Sequence, residues 1–400
     1  MTVRSPARRA AAPRSICFPF VGDDIGGSHI SALKLIEHLD PARFRPRIVL
    51  HEAGPLADHL DREGFPWERA PAMFDRPVTP LRYAARVLPA LRALIAREGF
   101  DLLHTNDGRV HALWGPAALG SRCRHLWHHR GDPGARGVNR LAPLVADHLV
   151  TVSRFAYPER PWRDMRGRWD VVHSPFDHPP EAGDRIAAHR MLCDELGLPH
   201  DARFLGFFGG FVGRKRPQWM ADIVRLCRDR RPDVPVHAVL FGHPPPDGTH
   251  LDRATEERAR ALGVADRVHL MGFRRPVEPW MRAVDLLLVP ALDEPFGRTL
   301  IEAMLLGTPV VATRHGGNPE AIESGVDGVL VDPHDPAGFA APVFRLLDDG
   351  LEHMRIARNA RARALARYGT EAHVEAIARI YDRLLAEPRP APVSVQEAHS

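Results

Sequence analysis

"DEPFGRTLIEAMLLGTPVVA" occupies residues 293–312, directly after the apolar run "VDLLLVP" (284–290). The run is short, rich in apolar residues and closed by proline, as a buried strand is; "TLIEAMLLG" has the length and pattern of a helix with Gly307 as its C-terminal cap. "PVVAT" (309–313) is a second buried run. Strand, loop, helix and strand in that order form a crossover unit of a parallel sheet. Within this otherwise core-like stretch stand two carboxylates, Glu294 and Glu302, eight positions apart. Glu294 falls in the strand-to-helix loop, where a carboxylate can accept hydrogen bonds from hydroxyls. Glu302 falls in the first helical turns, where unsatisfied N–H groups and the helix dipole favour an anion.

Outward from that unit the same alternation runs through the chain twice. The second half restarts at "RFLGFFGG" (203–210) and continues through "VHAVLFG" (236–242), "RVHLMG" (267–272) and "GVLV" (328–331). The first half runs from "SICFPFV" (15–21) through "PRIVL" (46–50), "DLLH" (101–104), "RHLWH" (124–128), "HLVTVS" (148–153) and "DVVHS" (170–174). We therefore expect an α/β protein of two facing Rossmann-like, doubly wound domains with ligand loops around an interdomain cleft. The expected boundaries are a disordered basic N-terminus over 1–14, a first domain over 15–180 and a linker over 181–202. A second domain covers 203–368, a helix over 369–386 is considered for return to the first domain, and a disordered tail covers 387–400.

The 400 residues suit two domains of ordinary size, and no apolar window reaches the ~18 residues of a membrane-spanning helix. The N-terminus lacks the apolar core of a secretory signal, and the four cysteines have no metal-ligand spacing. The expectation is a cytoplasmic protein, with peripheral contact at the inner face of a membrane left open through the arginine- and leucine-rich helix over 79–97. A core-packed helix is the simpler reading of that segment. The formal charge of +4 comes from arginine, since only Lys34 and Lys215 are lysines. No strand interleaves aromatic and basic residues, so nucleic acid is not expected as a partner.

In "GGFVGRKRP" (209–217) glycines, Gly209 among them, permit close backbone approach beside Arg214, Lys215 and Arg216, a setting suited to phosphate. Neither a P-loop nor the G-x-G-x-x-G dinucleotide fingerprint is met. In "HGGNPEAI" (315–322) the glycines can present amides to a ligand, and Glu320 suits the dipole of the following helix. Thr299-x-x-Glu302 is also a capping box, so Glu302 has a purely structural reading.

Together "GGFVGRKRP", "FGHP", "LMGF", "DEPFGRTLIEAMLLGTPVVAT" and "HGGNPEAI" resemble the retaining glycosyltransferases of the GT-B fold, glycosyltransferase family 4. The resemblance is strong over about 203–347 and looser in the first half. It implies a nucleotide-diphosphate sugar as donor with no metal and no other cofactor. It implies that Glu302 holds the ribose, that Glu294 faces the donor sugar, and that Lys215 meets the diphosphate with Arg214 beside it. Amides near Phe296 and Gly297 would help orient the donor sugar, and Arg298 and Thr299 would complete the donor site. Gly210 stands where the family often has arginine.

In the first half, Gly26 and Gly27 end the loop after the first strand, with Ser28 as the expected helix cap; as a bare dipeptide they read as a turn, and the family's similar loop implies that they help bind the donor. His104, Asn106 and Asp107 close another strand with groups suited to sugar hydroxyls. "LWHHRGDPG" (126–134) ends a strand in His128, His129 and Arg130. The family places a strand-end histidine near the reacting centre; His128 is matched to it with Arg130 nearby, and His129 is the rival on the opposite face. His128, Arg130, Lys215 and Glu294 are thus the catalytic candidates. The implied reaction moves a sugar to a glycan, a lipid-linked saccharide or a small acceptor by front-face substitution. The alternatives are a nucleotide-sugar epimerase on the same fold and a degenerate, non-enzymatic relative.

Overall fold

The structure is a computed structural model that describes residues 12–71, 79–135, 137–177, 183–245 and 249–386. Most of the expected N-terminal tail, part of the expected linker and the whole tail over 387–400 lie outside the described residues. The chain divides into two units: one comprises the chain up to Val152, Tyr157–Pro175 and the chain from Thr370 onward, the other Ser153–Ala156 and Phe176–Gly369.

In the first unit, strands β1 (Arg14–Phe20), β2 (Phe44–Leu50), β3 (Trp67–Arg69), β4 (Leu102–Thr105), β5 (Arg124–His129), β6 (His148–Thr151) and β7 (Trp169–Val171) form one sheet in the order β3-β2-β1-β4-β5-β6-β7. In the second, β8 (Arg203–Phe208), β9 (Val236–Phe241), β10 (Val268–Gly272), β11 (Leu286–Val289), β12 (Val310–Thr313) and β13 (Val329–Val331) form another in the order β10-β9-β8-β11-β12-β13. Every pairing is parallel. Each sheet reverses its strand order once, between β1 and β4 and between β8 and β11. Loops leaving the two strands at such a point run to opposite faces and leave a crevice beyond the strand ends.

Period-2 alternation sorts the first sheet's side chains between two cores. Ile16, Phe18 and Phe20 pack with Leu35 and Phe44 on one face, while Cys17 joins Leu91, Leu103 and Trp114 on the other. The helix Thr370–Ala386 sits in the first of these cores through Ile377, Ile380, Tyr381 and Leu384. The four cysteines are buried thiols. No helix among the described residues is long and apolar enough to cross a membrane.

Three local features differ from the sequence expectation. β1 begins at Arg14, inside the expected tail, because its N–H reaches Arg43 O (2.8 Å) and its guanidinium reaches Asp101 (3.1 Å). The expected linker 181–202 carries the helix Arg185–Leu196: Asp184 accepts from the N–H groups of Ile186 and Ala187 (2.9 and 3.0 Å), and Gly197 ends it at φ 64°. Arg185 ties that helix to the second unit through Thr308 Oγ1 and Val284 O, each at 3.0 Å. The helix over 79–97 resolves into Pro80–Arg82, a π turn Tyr83–Val87, and Leu88–Glu98. Pro89 has no N–H and its ring would crowd the carbonyl four residues earlier, so the turn before it widens, with Leu88 N–H reaching Tyr83 O. Leu91, Leu94 and Ile95 of this helix are buried in the core.

Candidate functional site

The loop after β8 is shaped by Lys215. Gly209 has φ +140°, and a Cβ there would stand 2.6 Å from Lys215 Nζ, so the ammonium occupies the space a side chain would take. Gly242, in the expected "FGHP" turn after β9, allows the next loop to close over this one, since a Cβ on it would meet Gly209 O at 2.0 Å. Gly210 differs: its backbone is outside the glycine-only region and the nearest atom to a Cβ is 3.9 Å away. Arg216 adopts φ 51° and is held by its own side chain, which donates to Pro333 O and lies 4.3 Å over the Trp219 ring. Arg216 therefore shapes the turn, while Lys215 stays with the site.

The loop after β11 meets the first one directly. Leu292 N–H donates to Arg214 O (2.7 Å), Arg214 binds the Glu294 carboxylate, and Lys215 Nζ lies 3.8 Å from the same oxygen. Glu294 is 9% exposed and is held by two cations, a cluster with one positive charge in excess. The helix Arg298–Leu305 then starts from Gly297, whose left-handed φ of 59° turns the chain sharply; Leu300 N–H bonds Gly297 O (3.0 Å). It stops at Gly307, where φ is 75° and Thr308 N–H returns to Ala303 O (2.9 Å).

The expected capping box is not formed. Gly297 is the cap, Thr299 lies inside the helix, and Glu302 faces Arg298 at 3.5 Å, an i,i+4 pair. Burial raises the Glu302 carboxyl above its ordinary range, and Arg298 opposes that rise. Arg298 also stacks over Phe176 at 4.4 Å, and Phe296 is buried against Phe176 and Tyr368. The Phe296 ring thus anchors the loop.

The glycines after β12 serve packing. A Cβ on Gly316 would meet Glu294 O at 2.5 Å and one on Gly317 would meet Pro295 O at 2.4 Å, while Gly317 N–H donates to Glu294 O (2.8 Å). The expectation that these glycines offer amides to a ligand is corrected for Gly317, whose amide is spent on the neighbouring loop. Glu320 stands in the first turn of the short helix Asn318–Ala321, where an acid suits the dipole, and its carboxylate also accepts from the N–H groups of Arg154 (2.8 and 2.9 Å) and Phe155 (3.2 Å). Asn318, within the same motif but not singled out by the sequence, donates to Thr313 O (3.1 Å), and its buried Oδ1 beside Gly297 has no partner.

These loops border a small, open pocket beyond β8 and β11, lined among others by Phe208, Lys215, Ala291, Glu294, Gly297 and Thr299. It lies at the point where the strand order reverses. Gly209 and Arg214 support its lining residues; Phe296, Arg298 and Glu302 are not part of the lining. A compact ammonium and a helix start at one mouth can hold an anion, and a buried carboxylate among cations can accept from hydroxyls. Among the described residues no three His, Cys, Asp or Glu side chains are grouped to hold a metal ion.

In the first unit the helix Gly27–His38 is capped by Gly26, not by Ser28; Gly26 N–H donates to His29 Nδ1 (3.0 Å) and Gly26 O accepts from His29 N–H (3.0 Å). At the end of β5 the two histidines part as alternation requires. His129 bonds Asp132 O (3.2 Å) and packs on Trp127, and burial lowers its pKa to about 4. His128 is fully buried with His104 and Arg130, at 3.2 and 3.3 Å from its Nδ1. Arg130 also donates to Ser174 Oγ (3.2 Å). Sequence reasoning missed Tyr381 and His373, which complete this cluster from the other end of the chain.

A family model described as glycosyl transferases group 1 matches residues 202–349. A D-inositol 3-phosphate glycosyltransferase of Streptomyces avermitilis is 33% identical over 399 aligned residues, covering 90% of this chain and 83% of that protein. Its namesake in Corynebacterium urealyticum is 33% identical over 207 residues; there the match spans 51% of this chain and 49% of the relative, about half its length. A crystal structure of HepE from Anabaena in complex with UDP and glucose superposes with a TM-score of 0.75 at 23% identity, covering 92% of this chain and 99% of that one. Sucrose-phosphate synthase from Thermosynechococcus elongatus gives 0.71 at 21%, covering 93% and 99%. These likenesses establish the fold, two Rossmann-like sheets of the GT-B kind.

Proposed function

The chain belongs to the glycosyl transferases group 1 family, and from that premise we propose that it is a retaining glycosyltransferase of family 4 that takes its sugar from a nucleotide diphosphate without a metal. The observation that carries the reading is the pocket beyond β8 and β11, where Lys215, Glu294 and the helix start at Gly297 and Thr299 converge. In this reading Lys215, with Arg214 behind it, holds the diphosphate, and Glu294 accepts from the hydroxyls of the sugar. Glu302 grips the ribose diol. The departing diphosphate oxygen takes the acceptor's proton as the new glycosidic bond forms on the same face; preorganised positive groups stabilise the charge that grows there, commonly the largest catalytic contribution. His128 and Arg130 are the catalytic candidates of the first unit, and Gly26 and Gly27 its candidates for donor binding.

UDP is the nucleotide to try first, because HepE is described with UDP and UDP-glucose. A hydroxyl-bearing small acceptor, of which inositol phosphate is the first example to try, follows from the named relatives. The test is incubation with UDP-sugars, acceptor and EDTA, with the product's anomeric configuration read by NMR. Transfer with retained configuration is expected. Conversion of the nucleotide sugar without acceptor would favour the epimerase reading, and nucleotide binding with no turnover on any acceptor the degenerate one.

A further inference from the structure

The edge of the first sheet where β5, β6 and β7 begin carries an open pocket of about 200 Å³, far more than the ~10–15 Å³ that admits one water. Its lining includes Arg124, the first residue of β5, Asp147 and His148 at the start of β6, Arg168 and Asp170 around the start of β7, and Arg383 near the end of the helix Thr370–Ala386. Because the three strands are parallel, the lining lies at their amino ends, away from the loops that carry His128 and Arg130. The strand from Arg124 to His128 alone spans about 13 Å.

The charges in this pocket do not cancel. Arg124 is 6% exposed and fixed in place: its Nε donates to Leu384 O (3.0 Å) in the last turn of the helix, and its Nη1 lies 3.6 Å from Asp147 Oδ1. Asp147 Oδ2 accepts from His125 N–H (2.8 Å). Asp170 Oδ2 is shared by His148 Nε2 (2.8 Å) and the Arg383 guanidinium. Arg168 is half-buried and, among the described residues, has no carboxylate in ion-pair contact. Three guanidinium groups thus line the pocket with two carboxylates, one positive charge in excess before His148 is counted. Arg163 adds another within electrostatic reach, since burial and then the charge of Arg168 lower its pKa. A half-buried cation without a counter-ion is costly, and an oxyanion would relieve that cost.

We infer that this pocket is a binding site for a small phosphorylated polyol, with the phosphate held by Arg168 and Arg383 and the hydroxyls received by Asp147 and Asp170. Guanidinium forks match pairs of phosphate oxygens, which a neutral ligand would leave unpaired. The two carboxylates are already oriented by their own partners, and each oxygen has a second lone pair for a hydroxyl. The site is separate from His128 and Arg130, and the pocket beyond β8 and β11 belongs to the other unit. The inference does not rest on the sugar-transfer reading.

The test is calorimetric titration of the full chain with glycerol 3-phosphate at about 0.15 M salt, which screens diffuse surface attraction. Inorganic phosphate and glycerol are separate probes, and UDP is added as a competitor. Glycerol 3-phosphate is expected to bind at one site, more tightly than inorganic phosphate, with no binding of glycerol and no displacement by UDP. Absence of binding at millimolar glycerol 3-phosphate overturns the inference, as does displacement by UDP, and equal affinity for inorganic phosphate overturns the polyol part of it. Arg168→Gln should weaken binding by ~10-fold or more, as for a lost charge-assisted contact, and leave the melting temperature unchanged because no ion pair is broken. The control is Arg166→Gln, two residues away, where the arginine is exposed and lies 3.8 Å from Asp164. It should stay within ~3-fold, and equal loss in both variants would mean a diffuse basic surface and contradict the site.

Discussion

Lys215 and Gly209 act as one feature, since the ammonium lies where a side chain at 209 would be. Gly209→Ala forces both a φ of +140° and a displaced ammonium. It should lower stability by about 1–2 kcal/mol, readable as a fall of a few degrees in Tm, and weaken UDP binding as Lys215→Ala does. Lys215→Ala should leave stability nearly unchanged and cost about 10²–10³ in turnover, the scale for one preorganised donor. Glu302→Gln separates structure from ligand. Its carboxylate caps nothing and its pair with Arg298 is half-exposed, so the melting temperature should hold while nucleotide affinity falls; equal affinity would remove Glu302 from the donor site. The Glu294 and Glu302 spacing was legible in the sequence. Their partners were not, because Arg214 is 80 positions from Glu294 and no periodicity reports a contact across that distance.

At the scale of elements, the loops after β11 and β12 are interlocked through backbone, so their glycines have a different tolerance from Gly26. Gly317→Ala puts a Cβ 2.4 Å from Pro295 O and must move the loop that carries Glu294; donor binding should be lost even where the fold survives. Gly26→Ala meets nothing within 4 Å and should change stability by less than about 1 kcal/mol, so any loss of activity in it reports a ligand close to that loop. Circular dichroism melts and UDP titration distinguish the two cases. The sequence showed the βαβ unit at 284–313 because its two strands are continuous apolar runs and the helix between them carries a period. It did not show β3, whose three residues at a sheet edge carry none, or the helix Arg185–Leu196, which follows prolines and acids that read as linker.

For the whole molecule, the first unit concentrates buried neutral histidines. His104, His111 and His128 are held well below their ordinary range by burial, His129 is lowered to about 4 and His373 to about 3. A base whose folded pKa is depressed takes up protons first in the unfolded chain. The stability it contributes is therefore present above about pH 6.5 and is lost as pH falls toward the folded value, at up to about 1.4 kcal/mol per pH unit for each such group. Melting followed between pH 7 and pH 4.5 should show a steep loss, and His129→Gln should flatten it. Both doubly wound sheets could be read from two rounds of strand and helix alternation. The histidine cluster could not, since it joins β4 and β5 to a helix more than 200 residues later.

The most direct test of the central claim, that the loops beyond β8 and β11 and the helix Arg298–Leu305 bind a nucleoside diphosphate, is calorimetric titration with UDP in EDTA on the wild type and on Lys215→Ala and Glu302→Gln. The account predicts one site per chain without metal, weakened ~10-fold or more in each variant, as expected for a lost charge-assisted contact. Unchanged binding in both variants would contradict this placement of the nucleotide, and no binding of UDP, GDP, ADP or TDP would contradict the site itself.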